Sequence, residues 1–177
     1  MTTQYLFAGF GGQGILFSGK FLAYKGLTEG KHVSWLPSYG PEMRGGTASC
    51  SVIVGDEPIG SPIVTKPDVL IAMNLPSLDK YEPSVAEGGM IFVDSTLVER
   101  RVQRTDVKTY SIPATKLASD GGIPTLANMI IMGKVLAATD GFNDESGVVN
   151  ALKKVISAKH SDMLEVNLAA MRTGRDC

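Results

Sequence analysis

Gly9-Phe10-Gly11-Gly12-Gln13-Gly14 places four glycines and a glutamine between the apolar run Tyr5-Leu-Phe-Ala8 and an apolar segment that begins at Ile15. The spacing G-x-G-x-x-G, after a strand and before a helix, is the pattern of a turn that receives phosphates. Gly9 is expected to allow the turn, Gly11 to let the backbone approach a ligand, and Gly14 to let helix and strand pack closely. The N–H groups of the helix start, which have no partner within the helix, then favour an anion. A dinucleotide site also needs an Asp or Glu about 20 residues past the glycines, to hold the ribose hydroxyls. Here the second strand runs out in Trp35-Leu36-Pro37-Ser38, with no carboxylate and no arginine for a 2′-phosphate. That pattern disfavours NAD(P).

A second group follows directly, Tyr39-Gly40-Pro41-Glu42-Met43-Arg44-Gly45-Gly46-Thr47. Its glycine, proline and charge make it a loop rather than a core element. As a plain surface connection it would leave Glu42 and Arg44 solvated. Tyr39, Met43 and Arg44 together have the composition of an interface, where arginine and aromatic residues anchor binding. The loop also follows the carboxyl end of a strand, where ligands gather in open α/β sheets. Two asparagines stand at helix starts. Asn74, or Ser77 after it, is placed to cap a helix. Asn128 is the odd polar residue of an apolar helix, explained either by capping or by an inward hydrogen bond.

Other chemistries lack their residues. There is no G-x-S-x-G elbow, no Walker A sequence and no H-x-x-x-H spacing. His32 and His160 have no evident catalytic partner, and Asp94-Ser95-Thr96 reads as a cap or turn. Cys50 and Cys177 form no C-x-x-C, so no zinc or iron–sulfur site is expected from this chain alone. Cys50 lies in an alternating apolar stretch and reads as a small buried hydrophobe. A net charge of −1 argues against nucleic acid or an anionic membrane surface as partner. No apolar run approaches the roughly 20 residues that cross a bilayer. The chain enters a strand almost at once, without a basic leader or a cleavage pattern, so a cytoplasmic location is expected.

The elements that must position these residues follow from periodicity. Ile15 to Thr28 reads as a helix with a narrow polar edge of Lys20, Lys25 and Glu29, despite Gly19 and Gly26 within it. His32–Leu36 is a strand ended by Pro37, and Thr47–Val54 a strand that can pair antiparallel at a sheet edge. Val69–Met73 and Met90–Asp94 are apolar runs of the kind buried in parallel sheets. Between them a short helix carries Leu78 and Tyr81. Val98 to Asp106 is charged and reads as a solvated excursion before the strand Val107–Ile112. Pro124 suits the first turn of a core helix carrying Met129, Ile130, Gly133 and Leu136. Asn143 or Asp144 opens a further helix, and a last one runs from about Ser161 to Met171. The expected fold is α/β, a single doubly wound, Rossmann-like domain over 1–177. Its sheet is mostly parallel, with room for an antiparallel edge and helices on both faces.

Gly9–Gly14, Tyr39–Thr47, Asn74-Leu-Pro-Ser77, Gly88-Gly89 before a strand, Pro124-x-x-x-Asn128-Met and Asn167-Leu168 stand in this order along essentially the whole chain. Together they resemble the gamma subunit of the 2-oxoacid:ferredoxin oxidoreductases, which act on pyruvate, 2-oxoglutarate or ketoisovalerate. The resemblance implies a complex that decarboxylates a 2-oxoacid on thiamine diphosphate, passes the acyl group to coenzyme A and reduces ferredoxin. It places thiamine diphosphate, magnesium and iron–sulfur clusters on alpha and beta partner subunits, with any delta function on a separate chain. The gamma module is then associated with coenzyme A and with packing against those subunits. In this sequence Gly9, Gly11, Gly12, Gln13 and Gly14 would form the phosphate cradle. Tyr39, Glu42, Met43, Arg44, Gly45, Gly46 and Thr47 would form the interface loop, with Asn74 and Asn128 as secondary candidates. The chain alone would be inactive and would self-associate through helix 15–28 or the Tyr39 loop. Two other readings stay open: the small subunit of an indolepyruvate oxidoreductase, and a non-catalytic acyl-CoA or nucleotide-binding module.

Overall fold

A computed structural model describes residues 1–38 and 48–177. Six strands form one sheet: β1 (Thr2–Gly9), β2 (His32–Ser38), β3 (Ala48–Gly55), β4 (Val69–Ala72), β5 (Met90–Asp94) and β6 (Lys108–Ile112). Their order is β2-β3-β1-β4-β5-β6. β1, β4, β5 and β6 are parallel, and β3 runs antiparallel to both β1 and β2. The antiparallel pairing therefore falls at one edge of the sheet, with β2 outermost and β3 one strand in. Edge position also explains why β2 continues through Pro37 to Ser38 instead of stopping at Leu36. An edge strand has one unpaired side, where a residue without an N–H is tolerated.

Alternation along the strands sends two sets of side chains to two faces. Tyr5, Phe7, Cys50, Val52, Val69, Ile71 and Phe92 join a large core with α1 (Ile15–Thr28), α3 (Ala114–Asp120), α4 (Ala127–Ala138), α5 (Glu145–Val155) and α6 (Met163–Arg175). Leu6, Leu70, Ala72, Ile91 and Val93 meet a smaller cluster with Leu78 of α2 (Leu75–Tyr81), Val85 and Val98. Helices thus lie on both faces, in unequal numbers. No helix among the described residues is long and apolar enough to cross a membrane.

The glycines inside α1 are contact points with the sheet. A Cβ on Gly19 would meet Cys50 Sγ at 2.3 Å, and one on Gly26 would meet Val33 Cγ2 at 2.8 Å. α4 is apolar all round because it is enclosed, with Met129 through Met132 all buried. It crosses α6 closely, at two glycines. A Cβ on Gly133 would lie 1.8 Å from the Met171 carbonyl oxygen, and one on Gly174 would lie 1.7 Å from that of Ile130. α6 accordingly begins at Met163 and continues past Met171 to Arg175. Gly174, beyond the expected end of this helix, is a packing site.

The charged segment 98–106 is largely exposed, as expected, and is also tied down. Glu82, buried in a 3-10 turn after α2, accepts the backbone N–H of Arg104 at 2.9 Å and pairs with Arg100 at 2.8 Å. The Arg104 guanidinium donates back to the Val85 carbonyl at 3.0 Å. Asp94, at the end of β5, is also buried and accepts the N–H groups of Thr96 at 3.1 Å and Thr115 at 3.2 Å. It latches β5 to the start of α3, as a turn-forming carboxylate does.

Candidate functional site

The turn from β1 into α1 lies where the sheet's parallel strands end. Gly12 and Gly14 have φ of 89° and 75°, the left-handed region in which a side chain is strained. Gly9 does not serve through a positive φ. Its role is close approach: a Cβ there would fall 2.6 Å from Gln13 Oε1 and 3.0 Å from Met73 Cβ. Gln13 ties the turn on both sides, accepting the Phe10 N–H at 2.6 Å and donating to the Met73 carbonyl at 3.1 Å, just past β4. A Cβ on Gly14 would come within 2.4 Å of Asn128 Nδ2, so this glycine makes room for α4 rather than for a strand.

Gly11 and Gly12 differ from their neighbours. Their own chain neighbours aside, no atom among the described residues lies within 4 Å of where a Cβ would stand at either position. They border a cavity of 270 Å³ that also touches Phe10, Ile15 and Ala48. α1 begins at this cavity with Gly14 as its N-cap, without a side-chain cap and without an acidic residue in its first turn. Bare backbone, unpaired N–H donors and the positive end of the helix dipole favour an anionic group there.

Asn128 resolves the choice left open by the sequence in favour of an inward bond. Its Nδ2 donates to the Gly14 carbonyl at 3.2 Å and to Ser18 Oγ at 3.1 Å, joining α4 to the start of α1. Asn74 caps α2, its Oδ1 accepting the Ser77 N–H at 2.9 Å. Both are buried, and each keeps one polar atom without a partner among the described residues: Oδ1 of Asn128 and Nδ2 of Asn74. Ser77 Oγ and Asn167 Oδ1 are in the same condition. An unmet buried donor or acceptor costs about 1–3 kcal/mol.

A larger cavity, of 380 Å³, adjoins the first and shares Gly14 and Phe17 with it. Asn128, Asn167 and His160 are on its wall. His160 and Ser157 gave no sequence signal, since nothing in their spacing ties them to α1 or α4. Asn167 stood out only through the resemblance, although its position on α6 opposite α4 is what brings it to Asn128's cavity. The loop candidates Tyr39, Glu42, Met43, Arg44, Gly45, Gly46 and Thr47 lie outside the described residues.

Among the described residues no group of three or more His, Cys, Asp or Glu side chains could hold a metal ion. Cys50 is buried and donates to the Ile15 carbonyl, and burial pushes its thiol up to about 12, against weaker opposing hydrogen bonds from Trp35 and Gly19. Tyr5, also buried, has its phenol raised by desolvation, offset in part by a hydrogen bond with Thr139. Neither borders the two cavities at the glycine turn.

Comparison with known proteins adds relatives along the whole chain. It is 40% identical over 169 residues to the ketoisovalerate oxidoreductase subunit VorA of Methanothermobacter thermautotrophicus, covering 96% of this chain and 35% of that protein. It therefore spans about a third of the length of that relative. It is 35% identical over 177 residues to the 2-oxoglutarate synthase subunit KorC of Methanocaldococcus jannaschii, covering 98% of this chain and 92% of that one. The crystal structure of a keto/oxoacid ferredoxin oxidoreductase gamma subunit from Geobacter sulfurreducens superposes with a TM-score of 0.82 at 27% identity, over 98% of this chain and 96% of the other. Residues 4–177 match the family model described as pyruvate ferredoxin/flavodoxin oxidoreductase, and the chain belongs to that family.

Proposed function

We propose that this chain is a gamma-type subunit of a 2-oxoacid:ferredoxin oxidoreductase, in which it binds the phosphate end of coenzyme A and packs against the catalytic subunits. The reaction of the assembled complex is the oxidative decarboxylation of a 2-oxoacid, such as 2-oxoglutarate, ketoisovalerate or pyruvate, to acyl-CoA and CO2 with reduction of ferredoxin. Thiamine diphosphate, magnesium and the iron–sulfur clusters sit on partner subunits. The two cysteines of this chain fall short of the four that a cluster takes, and one of them is buried. This chain's own part is to hold and orient. N–H groups at Gly11, Gly12 and the start of α1 receive phosphate oxygens, Gln13 and Asn128 keep the turn in shape, and the Tyr39–Thr47 loop docks beside the active centre.

The observation that supports this reading is the open turn, bare at Gly11 and Gly12 beside an uncapped helix start. Titration of the full chain, alone and assembled with its partners, tests it. Coenzyme A is expected to bind saturably and NADH not at all, since β2 ends without a carboxylate. Gly11→Glu puts a carboxylate into open space, so the fold should hold while coenzyme A affinity falls at least about tenfold, or 1.4 kcal/mol. Unchanged coenzyme A binding by Gly11→Glu, or tight NADH binding by the wild type, would overturn the assignment.

A further inference from the structure

β2 is the outermost strand of the sheet, and the strands behind it fix which of its backbone groups are unpaired. The Asp56 N–H donates to the Met1 carbonyl at 3.2 Å, in the β1–β3 register, so even-numbered residues of β3 turn their backbone polar groups toward β1. The Gln4 and Ala8 carbonyls agree, accepting from Asp68 and Met73 at 2.9 Å on the β4 side. Odd-numbered residues of β3 therefore bond β2, where they face His32, Ser34, Leu36 and Ser38. Val33, Trp35 and Pro37 are left with their backbone groups turned outward, and no strand among the described residues meets them.

We propose that this edge pairs with the same edge of a second copy of the chain, antiparallel, about a two-fold axis at Ser34. Pro37 selects the register. An axis at Trp35 would set Pro37 against the Val33 carbonyl of the second copy, where the ring stands in place of an N–H and collides. An axis at Ser34 sets Val33 against Trp35 of the second copy instead, and each gives its N–H to the other's carbonyl, twice over by symmetry. Pro37 then falls opposite Lys31, whose N–H is already bonded to the Gly26 carbonyl at 3.0 Å, so the ladder has ended there. The side chains match the same axis. Trp35 meets Val33, an aromatic and β-branched pair of the kind that stabilises antiparallel strands, and small Ser34 meets itself. Trp35 and Leu36 are 37% and 40% exposed, so the edge offers apolar surface on both faces of the sheet. Natural edges are commonly guarded by charge, yet no Asp, Glu, Lys or Arg occurs from His32 to Ser38. Two copies of this strand therefore meet without like-charge repulsion. The axis stands normal to the sheet, so α1, packed on Val33 through Gly26, flanks the junction in both copies.

The test is sedimentation of the full chain over a range of concentrations, with amide exchange read on the same samples. A monomer–dimer equilibrium is expected, in which the Val33 and Trp35 amides exchange more slowly as the dimer fills. Ser34→Lys sets two ammonium groups against each other across the axis and should weaken the dimer by at least about tenfold. Oxidation of Ser34→Cys, made together with Cys177→Ser, should link two copies through a disulfide, since Cβ atoms in such a facing pair stand about 4.5–5.5 Å apart. Leu36→Cys in the same background should not link, because it faces His32 of the second copy. The cross-link carries the test if Ser34→Lys does not fold. A chain monomeric at every concentration, a dimer indifferent to Ser34→Lys, or linking at Leu36 in preference to Ser34 would overturn the proposal. So would protection of Val33 and Trp35 only after partner subunits are added, which would give the edge to a strand of theirs. None of these readings depends on coenzyme A, so either assignment can fail alone.

Discussion

At Cys50 the sulfur is enclosed against Ile15, Gly19 and Trp35, and burial holds its thiol at about 12. Cys177, by contrast, is exposed at the last residue. Because the thiolate is the reactive form, the two should separate cleanly. One equivalent of iodoacetamide is expected to react with the native chain at neutral pH, at Cys177, and a second only after unfolding. Fast uptake of two equivalents would contradict the enclosed sulfur. At the same scale the glycine turn shows what a motif conveys. The pattern 9-11-14 predicts a turn with close backbone approach, and Gly11 borders open space. The detail that Gly14 makes room for Asn128 was not legible, because its partner is 114 residues away. Asn128 itself was visible as a polar residue out of place and through the resemblance.

Among the elements, α4 and α6 offer the sharpest test. Alanine in place of glycine within a helix ordinarily adds about 1 kcal/mol of stability through propensity. At Gly133 the added methyl would stand 1.8 Å from the Met171 carbonyl oxygen, a backbone atom that cannot move without its helix. Overpacking a core costs about 1–3 kcal/mol, and more when backbone must shift. Gly133→Ala should therefore lower stability by about 2 kcal/mol or more in urea unfolding, and a gain would show that the helices part easily. The sequence made most elements plain through period and punctuation: α1 begins at Ile15 and ends at Thr28 as the pattern predicts, and Asp144 caps α5. It misled where a residue's meaning depends on tertiary place. Pro37 looked like a strand end until β2 proved to be outermost, and the last helix, expected to end near Met171, runs on through Gly174, which lies against α4. The capture of the 98–106 segment by Glu82 has no local signature in the sequence.

Across the whole molecule, the ion pairs of Asp56 and the cavities beside the glycine turn lie toward opposite ends of β1. Asp56, beside the start of β1, is held by Lys31 and the N-terminal ammonium, which bring its carboxyl down to about 2. A carboxyl whose folded pKa lies below its unfolded value of about 3.9 adds stability above that value and loses it as pH falls through the folded one. The stability difference between wild type and Asp56→Asn should thus be full above about pH 4, shrink toward pH 2, and diminish with salt. A difference independent of pH would remove the ion pairs from the account. At the other end, mechanics take over from charge. The interlock of Gly133 with Met171 and of Gly174 with Ile130 works like a key in its wards, and neither α4 nor α6 can slide along the other. Asn128 rides on one of these helices and Asn167 on the other, so the two carboxamides are parts of a single rigid jaw. The opposing jaw is the connection from Val155 to Met163, which carries Ile156, Ser157 and His160. Whatever occupies the larger cavity lies between that connection and the two helices.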